Sequence, residues 1–125
     1  MYFDTHAHYD SSKFSDDRDE VIRSAYQSGV SLIVDPGDTL ERSRNTVALA
    51  NQYDFIYAAV GVHPEEYETW TDDTVAHLRE LAGNSKVVAI GEIGLDYYWD
   101  KEHKELQKSV NGKYRDNSDL QIGFN

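Results

Sequence analysis

Two histidines near the start of the chain, His6 and His8, have the residue type and spacing of metal ligands. They follow residues 2–5, which we interpret as a β-strand, and residues two apart in an extended chain point to the same face. Asp4, His6 and His8 are therefore expected on one face, at the end of a first strand. Two imidazoles held in this way can bind one divalent metal ion, each through one ring nitrogen. The alternative is a pair of polar loop histidines without a ligand.

Two further candidates, Glu92 and His63, also follow apolar segments. Glu92 lies between two glycines that allow close backbone approach, and its carboxylate could ligate one metal ion or bridge two. The alternative for Glu92 is a glutamate in a turn or at a helix N-terminus. His63 precedes Pro64, which restricts it to extended geometry, so it could contact a phosphate or transfer a proton. The alternative for His63 is a structural turn.

The segments that position these side chains alternate between strands and helices. Apolar runs predict strands at 2–5, 30–34, 55–60 and 87–90. Apolar residues at helical spacing predict helices that begin at Asp16 or Asp17, at Asp38 with Glu41 in a capping box, at Thr71, and over 101–108. Four successive βα units predict an α/β fold with a parallel sheet. The candidate side chains then meet at the C-terminal edge of that sheet.

The composition and net charge of the chain exclude some kinds of site and disfavour others. The chain has 125 residues, enough for one domain, and no cysteine, which excludes disulfides and thiolate metal sites. We find neither an apolar run of the ~18 residues that span a bilayer nor a signal peptide, and expect a soluble cytoplasmic protein. The net charge of −11 disfavours a broad basic groove for nucleic acid. Bound cations would have to neutralise a phosphodiester locally.

Two segments near the end of the chain have unusual composition. Tyr97, Tyr98 and Trp99 follow Asp96 directly, and this aromatic cluster could stack on a nucleobase or pack beneath its own loop. Residues 109–125 are rich in Asn, Asp, Ser and Gly and lack a sustained apolar period. We expect a loose polar tail there.

The order of the motifs resembles the TatD family of metal-dependent deoxyribonucleases. The matching segments are FDTHAHY at 3–9, GVHP at 61–64 and GEIGLDY at 91–97, and the resemblance covers residues 1–108. The last motif is the most specific, because Asp-Thr-His-x-His is shared with the wider metal-dependent hydrolase superfamily. The resemblance implies a partial TIM-type (β/α)8 barrel of about four βα units, since a whole barrel needs about 250 residues.

The same resemblance implies an activity and roles for the candidate residues. The activity would be hydrolysis of DNA phosphodiesters, of the 3′-to-5′ exonuclease type, by metal-activated water with one or two ions such as Mg²⁺, Mn²⁺ or Zn²⁺. His6, His8 and Glu92 would bind metal, while Glu92 and His63 would act at the scissile phosphate of a DNA substrate.

The resemblance also implies residues that have no counterpart here. The family takes two more histidines and an aspartate from later strands, so residues 1–108 are interpreted as an N-terminal half and 109–125 as a divergent tail. A frameshift or an early stop in a longer gene would produce that pattern. The alternative function is a truncated, catalytically inactive fragment that binds metal weakly or self-associates through exposed barrel edges.

Overall fold

The structure, a computed structural model, describes residues 1–117. Its strands are β1 (Tyr2–Asp4), β2 (Val30–Pro36), β3 (Ile56–Val60) and β4 (Val87–Ile90). Its helices are α1 (Arg18–Gln27), α2 (Leu40–Ala50), α3 (Thr74–Ala82) and α4 (Lys104–Asp116), with short 3-10 helices at Ser12–Phe14 and Pro64–Thr69. Over this part of the chain, no helix combines the length and apolar character needed to cross a membrane.

The four strands form one parallel sheet in the order β1-β2-β3-β4. Ile33 of β2 pairs with Ile56 of β3, and Ala59 of β3 pairs with Ala89 of β4. Each strand is followed by a helical segment, so the prediction of an α/β, partial (β/α) barrel fold is confirmed. Because all strands run the same way, the segments that leave them emerge at one edge, which is called the C-terminal rim below.

The core lies between the sheet and the helices that pack on it. Ile33, Ile56 and Val60 of the sheet are fully buried with Ile22 of α1 and Leu78 of α3. Burial of an aliphatic side chain of this size contributes roughly 1.5–3 kcal/mol relative to exposure. This packing orders β2 and β3 at the centre of the sheet, and they pair with β1 and β4, the strands that precede His6, His8 and Glu92.

Three predicted helix starts differ from the structure. The side chain of Thr39, rather than Asp38, caps α2 by accepting a hydrogen bond from the Arg42 backbone at 3.1 Å, so the capping-box prediction is wrong. Helix α3 begins at Thr74 instead of Thr71, because Thr71 N–H donates to Thr74 Oγ1 at 2.9 Å in a turn that precedes the helix. Helix α4 begins at Lys104 instead of Lys101.

The largest difference concerns the expected loose tail. Helix α4 continues through Asp116, so residues 109–116 are helical and that expectation is wrong for them. Gln107 and Tyr114 are buried and Val110 packs against the core, a spacing that puts all three on one helix face. Residues 118–125 lie outside the described part of the chain. The division of the sequence into an N-terminal half at 1–108 and a divergent tail at 109–125 stays a prediction.

Candidate functional site at the C-terminal rim

The segment that carries His6 and His8 is fixed to the neighbouring strand by its backbone. Ala7 N–H donates to the Val34 carbonyl of β2 at 3.2 Å, which holds the segment beside the sheet after β1 has ended. Asp4 accepts a hydrogen bond from the His6 backbone N–H at 3.1 Å. Asp4 therefore orders the backbone between β1 and the two histidines. Its carboxylate does not belong to the cluster of His6, His8 and Glu92 that is described next.

His6, His8 and Glu92 meet at the rim. The Nε2 atoms of His6 and His8 lie 3.1 Å apart, and His6 Nε2 lies 3.5 Å from Glu92 Oε1. One donor atom from each of the three residues falls within 4.8 Å of the others. The His6 side chain is 57% exposed and that of Glu92 27%, so the cluster opens to solvent on the histidine side.

Glu92 is placed by backbone contacts to two neighbouring strands. Gly91 N–H donates to the Val60 carbonyl at 2.9 Å, and Glu92 N–H donates to the Gly37 carbonyl at 3.0 Å. A Cβ atom on Gly61 would lie 2.8 Å from the Gly91 carbonyl, so only glycine permits this approach. Close backbone approach was expected at the glycines beside Glu92, whereas the structure places the requirement at Gly61.

The three side chains fit a divalent metal ion. Imidazole nitrogen and carboxylate oxygen are the donors that Zn²⁺, Mn²⁺ and related ions accept. Two nitrogens bound to one zinc ion at about 2.0–2.1 Å lie roughly 3.3 Å apart at a tetrahedral angle, close to the His6–His8 separation. His8 Nδ1 is buried and has no hydrogen-bond partner among residues 1–117, so nothing described there competes for this ring.

His63 lies at the same rim but in a different hydrogen-bond environment. It begins the 3-10 helix Pro64–Thr69, and its Nδ1 accepts a hydrogen bond from the Glu65 N–H at 3.1 Å. A neutral imidazole whose Nδ1 accepts carries its proton on Nε2, so the ring is a donor on its other side. One ring nitrogen of His63 and one carboxylate oxygen each of Glu65 and Asp96, atoms of the type that bind metals, lie within 4.8 Å of one another.

Helix α4 supports His63 from below. The hydroxyl oxygen of Tyr114 accepts a hydrogen bond from the Val62 N–H at 2.6 Å, and both residues are buried. Burial raises the pKa of Tyr114, so the phenol stays neutral. The segment that was expected to be a loose tail therefore holds the residue that precedes His63.

A second polar cluster lies behind His8, and the sequence analysis missed it. Asp35, which is fully buried, accepts hydrogen bonds from Thr46 Oγ1 at 2.7 Å and from the Asp10 N–H at 3.1 Å. Burial, reinforced by the nearby charge of Asp10, raises the pKa of Asp35 to about 7. Arg42 donates to both carboxylate oxygens of Asp10, at 3.1 and 3.2 Å. Because Asp35 ends the apolar run of β2, the strand-end argument could have identified it.

The rim residues border one open cleft of about 620 Å³. It is lined by both predicted site residues and residues that the sequence analysis did not name: His8, Ser11, Lys13, Phe14, Asp38, Arg42, His63, Glu65, Glu66 and Glu92. Convergence was predicted for His6, His8, His63 and Glu92. Of these, His8, His63 and Glu92 line the cleft, and His6 contacts His8 and Glu92 at its border. Lys13 is exposed and forms no ion pair within residues 1–117, whereas Arg42 is engaged by Asp10 and Asp38.

Known proteins resemble the chain in sequence and in structure. The family model of TatD related DNase matches residues 3–113. The chain is 44% identical over 110 residues to the metal-dependent hydrolase YabD of Bacillus subtilis (strain 168). The aligned region is 88% of this chain and 43% of that protein. It is 45% identical over 95 residues to the 3′-5′ ssDNA/RNA exonuclease TatD of Cronobacter sakazakii, covering 76% of this chain and 36% of that protein.

The structural comparison agrees with the sequence comparison. The crystal structure of YjjV, a TatD homologue from Escherichia coli K12, matches with a TM-score of 0.80 and 36% identity, covering 90% of this chain and 44% of that one. The chain thus spans less than half the length of each of these three relatives. Since the family model covers most of the sequence, from Phe3 to Lys113, the chain belongs to the TatD related DNase family.

Proposed function

We propose that His6, His8 and Glu92, called the rim cluster below, form the metal-binding part of a phosphodiesterase. This enzyme would remove nucleotides from the 3′ end of single-stranded DNA. The observation that carries this proposal is the meeting of His6, His8 and Glu92 within 4.8 Å beside an open cleft. A relative with 45% identity over 95 residues is a 3′-5′ ssDNA/RNA exonuclease, which supports the substrate class.

In this proposal, the residues at the rim have different roles. A divalent ion bound by His6, His8 and Glu92 would supply Lewis acidity and a lowered pKa of bound water. Glu92, anchored through its own N–H to Gly37, keeps its carboxylate beside His6. His63 carries its proton on Nε2 when neutral and can donate it as a hydrogen bond to a phosphate oxygen. Lys13 at the cleft mouth attracts the phosphate backbone.

The local charge in the cleft agrees with these roles. Glu65, Glu66 and Glu92 line the cleft, so a phosphodiester would meet repulsion unless cations screen it. Arg42 is already neutralised by Asp10 and Asp38. Within residues 1–117, Lys13 is therefore the cleft cation that remains available to substrate.

The test is cleavage of single-stranded DNA carrying a 5′ label by the purified chain with Mg²⁺ or Mn²⁺. Stepwise shortening from the 3′ end, abolished by EDTA and by the His6→Ala, His8→Ala double variant, is the expected result. Cleavage that survives the double variant would assign the activity to a contaminant or another site. Absence of metal-dependent cleavage would overturn the proposal for this chain.

A second candidate function rests on the two sheet edges. β1 and β4 each pair with one neighbour, and the side chains of Tyr2, Phe3 and Val88 on them are 70%, 64% and 42% exposed. Exposed apolar strand edges are templates for pairing with another chain. The alternative is thus a catalytically inactive half-barrel that binds metal weakly and self-associates. Analytical ultracentrifugation together with the nuclease assay distinguishes the two functions. A dimer without nuclease activity supports the inactive half-barrel, whereas an active monomer contradicts it.

A further inference from the structure

We propose that Tyr98 and Trp99 form a stacking surface for unpaired nucleobases of the strand whose phosphate occupies the rim cleft. This inference rests on the proposed nuclease function and adds a subsite to it. It concerns the loop between β4 and α4 beyond Glu92, the one residue of this loop that belongs to the cluster with His6 and His8. The pair of side chains is called the aromatic platform below.

The aromatic platform is exposed to an unusual degree for its residue types. Tyr98 is 75% and Trp99 74% exposed, and their rings meet edge to face with centroids 4.7 Å apart. Tyr97 behaves differently, because its hydroxyl is buried and its ring packs against the Lys104 ammonium at 4.9 Å. Packing beneath the loop, the alternative from the sequence, therefore describes Tyr97 but is wrong for Tyr98 and Trp99.

The backbone that carries the platform is held in place. Asp96 Oδ1 accepts hydrogen bonds from the N–H groups of Tyr98 and Trp99 at 3.0 and 3.2 Å. The buried Gln107 of α4 accepts from Asp96 N–H at 2.8 Å and donates to the carbonyls of Asp96 and Asp100 at 3.0 and 3.2 Å. Exposed rings on a fixed backbone are organised for a flat ligand, since little ordering remains to be done on binding.

The same aspartate ties the platform to the cleft. A carboxylate oxygen of Asp96 lies within 4.8 Å of donor atoms of His63 and Glu65, both of which line the cleft. The platform follows Asp96 by two and three residues along the chain. In the proposed mode of binding, a strand whose phosphate contacts His63 places its neighbouring bases on Tyr98 and Trp99, whose backbone N–H groups donate to Asp96.

The charge of the molecule indicates why stacking matters here. With a net charge of −11, the chain gains little affinity for nucleic acid from long-range attraction. Stacking of a base on an aromatic ring requires no positive charge and accepts any base sequence. Bases inside a duplex are covered on both faces by their stacked neighbours, whereas successive unpaired bases can place a face on an aromatic ring, so the platform fits a single strand in preference to a duplex.

The test uses two phosphorothioate oligonucleotides that resist hydrolysis: oligothymidylate and its abasic analogue of equal length. Binding to the purified chain is measured by fluorescence anisotropy with Mg²⁺. We expect the protein to bind oligothymidylate about tenfold more tightly than the abasic strand. The Tyr98→Ala, Trp99→Ala variant should lose this preference and keep its affinity for the abasic strand, while Trp99→Phe should retain most of it.

A matched control removes an exposed aromatic elsewhere. Tyr26, in the last turn of α1, is 52% exposed, and Tyr26→Ala should leave the base preference unchanged. Equal binding of both oligonucleotides by the unaltered protein would overturn the platform while leaving the proposed function standing. Binding of neither would overturn both. If the double variant instead keeps the base preference and converts a dimer to a monomer on ultracentrifugation, the platform is a protein contact and the inference is wrong.

Discussion

His8 stands between two clusters that look alike by composition and differ in their chemistry. On its open side, His6 and Glu92 expose 57% and 27% of their side chains, and their donor atoms face mainly each other. On its inner side, Asp10 and Asp35 also place donor atoms within 4.8 Å of His8. There the Asp10 side chain is 1% exposed and is held at both oxygens by Arg42.

The difference shows why proximity of metal-type ligands does not by itself define a site. In the inner cluster, each carboxylate already accepts hydrogen bonds from a neighbour: Arg42 for Asp10, and Thr46 with the Asp10 N–H for Asp35. A cation entering it would have to displace those bonds in a buried environment. In the open cluster the ligand atoms are available at no such cost. We therefore assign metal binding to the open cluster and a structural role to the inner one.

The largest expected effect follows from replacing the open cluster. The His6→Ala, His8→Ala double variant should reduce Mn²⁺ or Zn²⁺ affinity by at least about 100-fold, because it removes two of three donors. Isothermal titration calorimetry measures the affinity, and circular dichroism checks that the fold persists. A matched double variant, His77→Ala with His103→Ala, removes two histidines from α3 and the start of α4. If both double variants lose metal equally, binding does not depend on His6 and His8, and the assignment of metal to the open cluster is wrong.

The inner cluster should respond in stability instead of metal affinity. Arg42→Ala leaves the buried Asp10 carboxylate without its charged partner and should lower the free energy of unfolding by about 2–4 kcal/mol. Urea denaturation at neutral pH with EDTA present measures the change. Arg23→Ala is the control, because its partner Asp19 has a 63% exposed side chain and such pairs contribute about 0–1 kcal/mol. Equal losses in the two variants would contradict a structural role for the inner cluster.

Asp35 gives the inner cluster a pH dependence that can be measured. Its pKa is about 7 in the fold and near 3.8 otherwise, so between those values the folded protein retains a proton that the unfolded chain has lost. Rising pH therefore lowers the free energy of unfolding until about pH 7, by about 1.4 kcal/mol per pH unit. Asp35→Asn cannot lose a proton.

Relative to the unaltered protein, Asp35→Asn should therefore gain roughly 2.5 kcal/mol of unfolding free energy between pH 5 and pH 8. Denaturation curves at both pH values, with EDTA present, give the difference. Comparing two pH values separates the titration from the hydrogen bonds that the substitution itself alters. A constant difference between the two proteins across this range would show that Asp35 is ionised in the fold.

The same contrast explains what the sequence could predict. The four strands and the rim position of His6, His8 and Glu92 follow from short-range patterns, because apolar runs and strand ends are visible along the chain. The inner cluster depends on Asp10 and Arg42, which are 32 residues apart in sequence and meet only through the parallel pairing of β1 and β2.

Helix α4 shows a second limit of the sequence pattern. Its buried face uses Gln107 and Tyr114, and both are buried because they satisfy backbone groups of other segments. A search for apolar periodicity passes over a polar residue whose partners lie elsewhere in the fold. For this reason 109–116 was expected to be irregular although the structure has it helical.

The smallest expected effect concerns Lys13, the cation of the open side. Lys13 lines the cleft without an ion-pair partner among residues 1–117, so its ammonium can contact phosphate directly. Lys13→Gln should weaken binding of single-stranded phosphorothioate DNA about three- to fivefold and reduce the salt dependence by the equivalent of about one phosphate contact. Fluorescence anisotropy at several salt concentrations measures both quantities.

The control for Lys13 must remove the same charge from another surface. Lys108 on α4 pairs with Glu105 at 3.0 Å and is absent from the residues that line the cleft. Lys108→Gln changes the net charge equally, so long-range electrostatics predicts the same loss for both variants. A loss confined to Lys13→Gln identifies a direct contact at the cleft mouth. Equal losses would mean that only the net charge matters and that Lys13 does not contact the substrate directly.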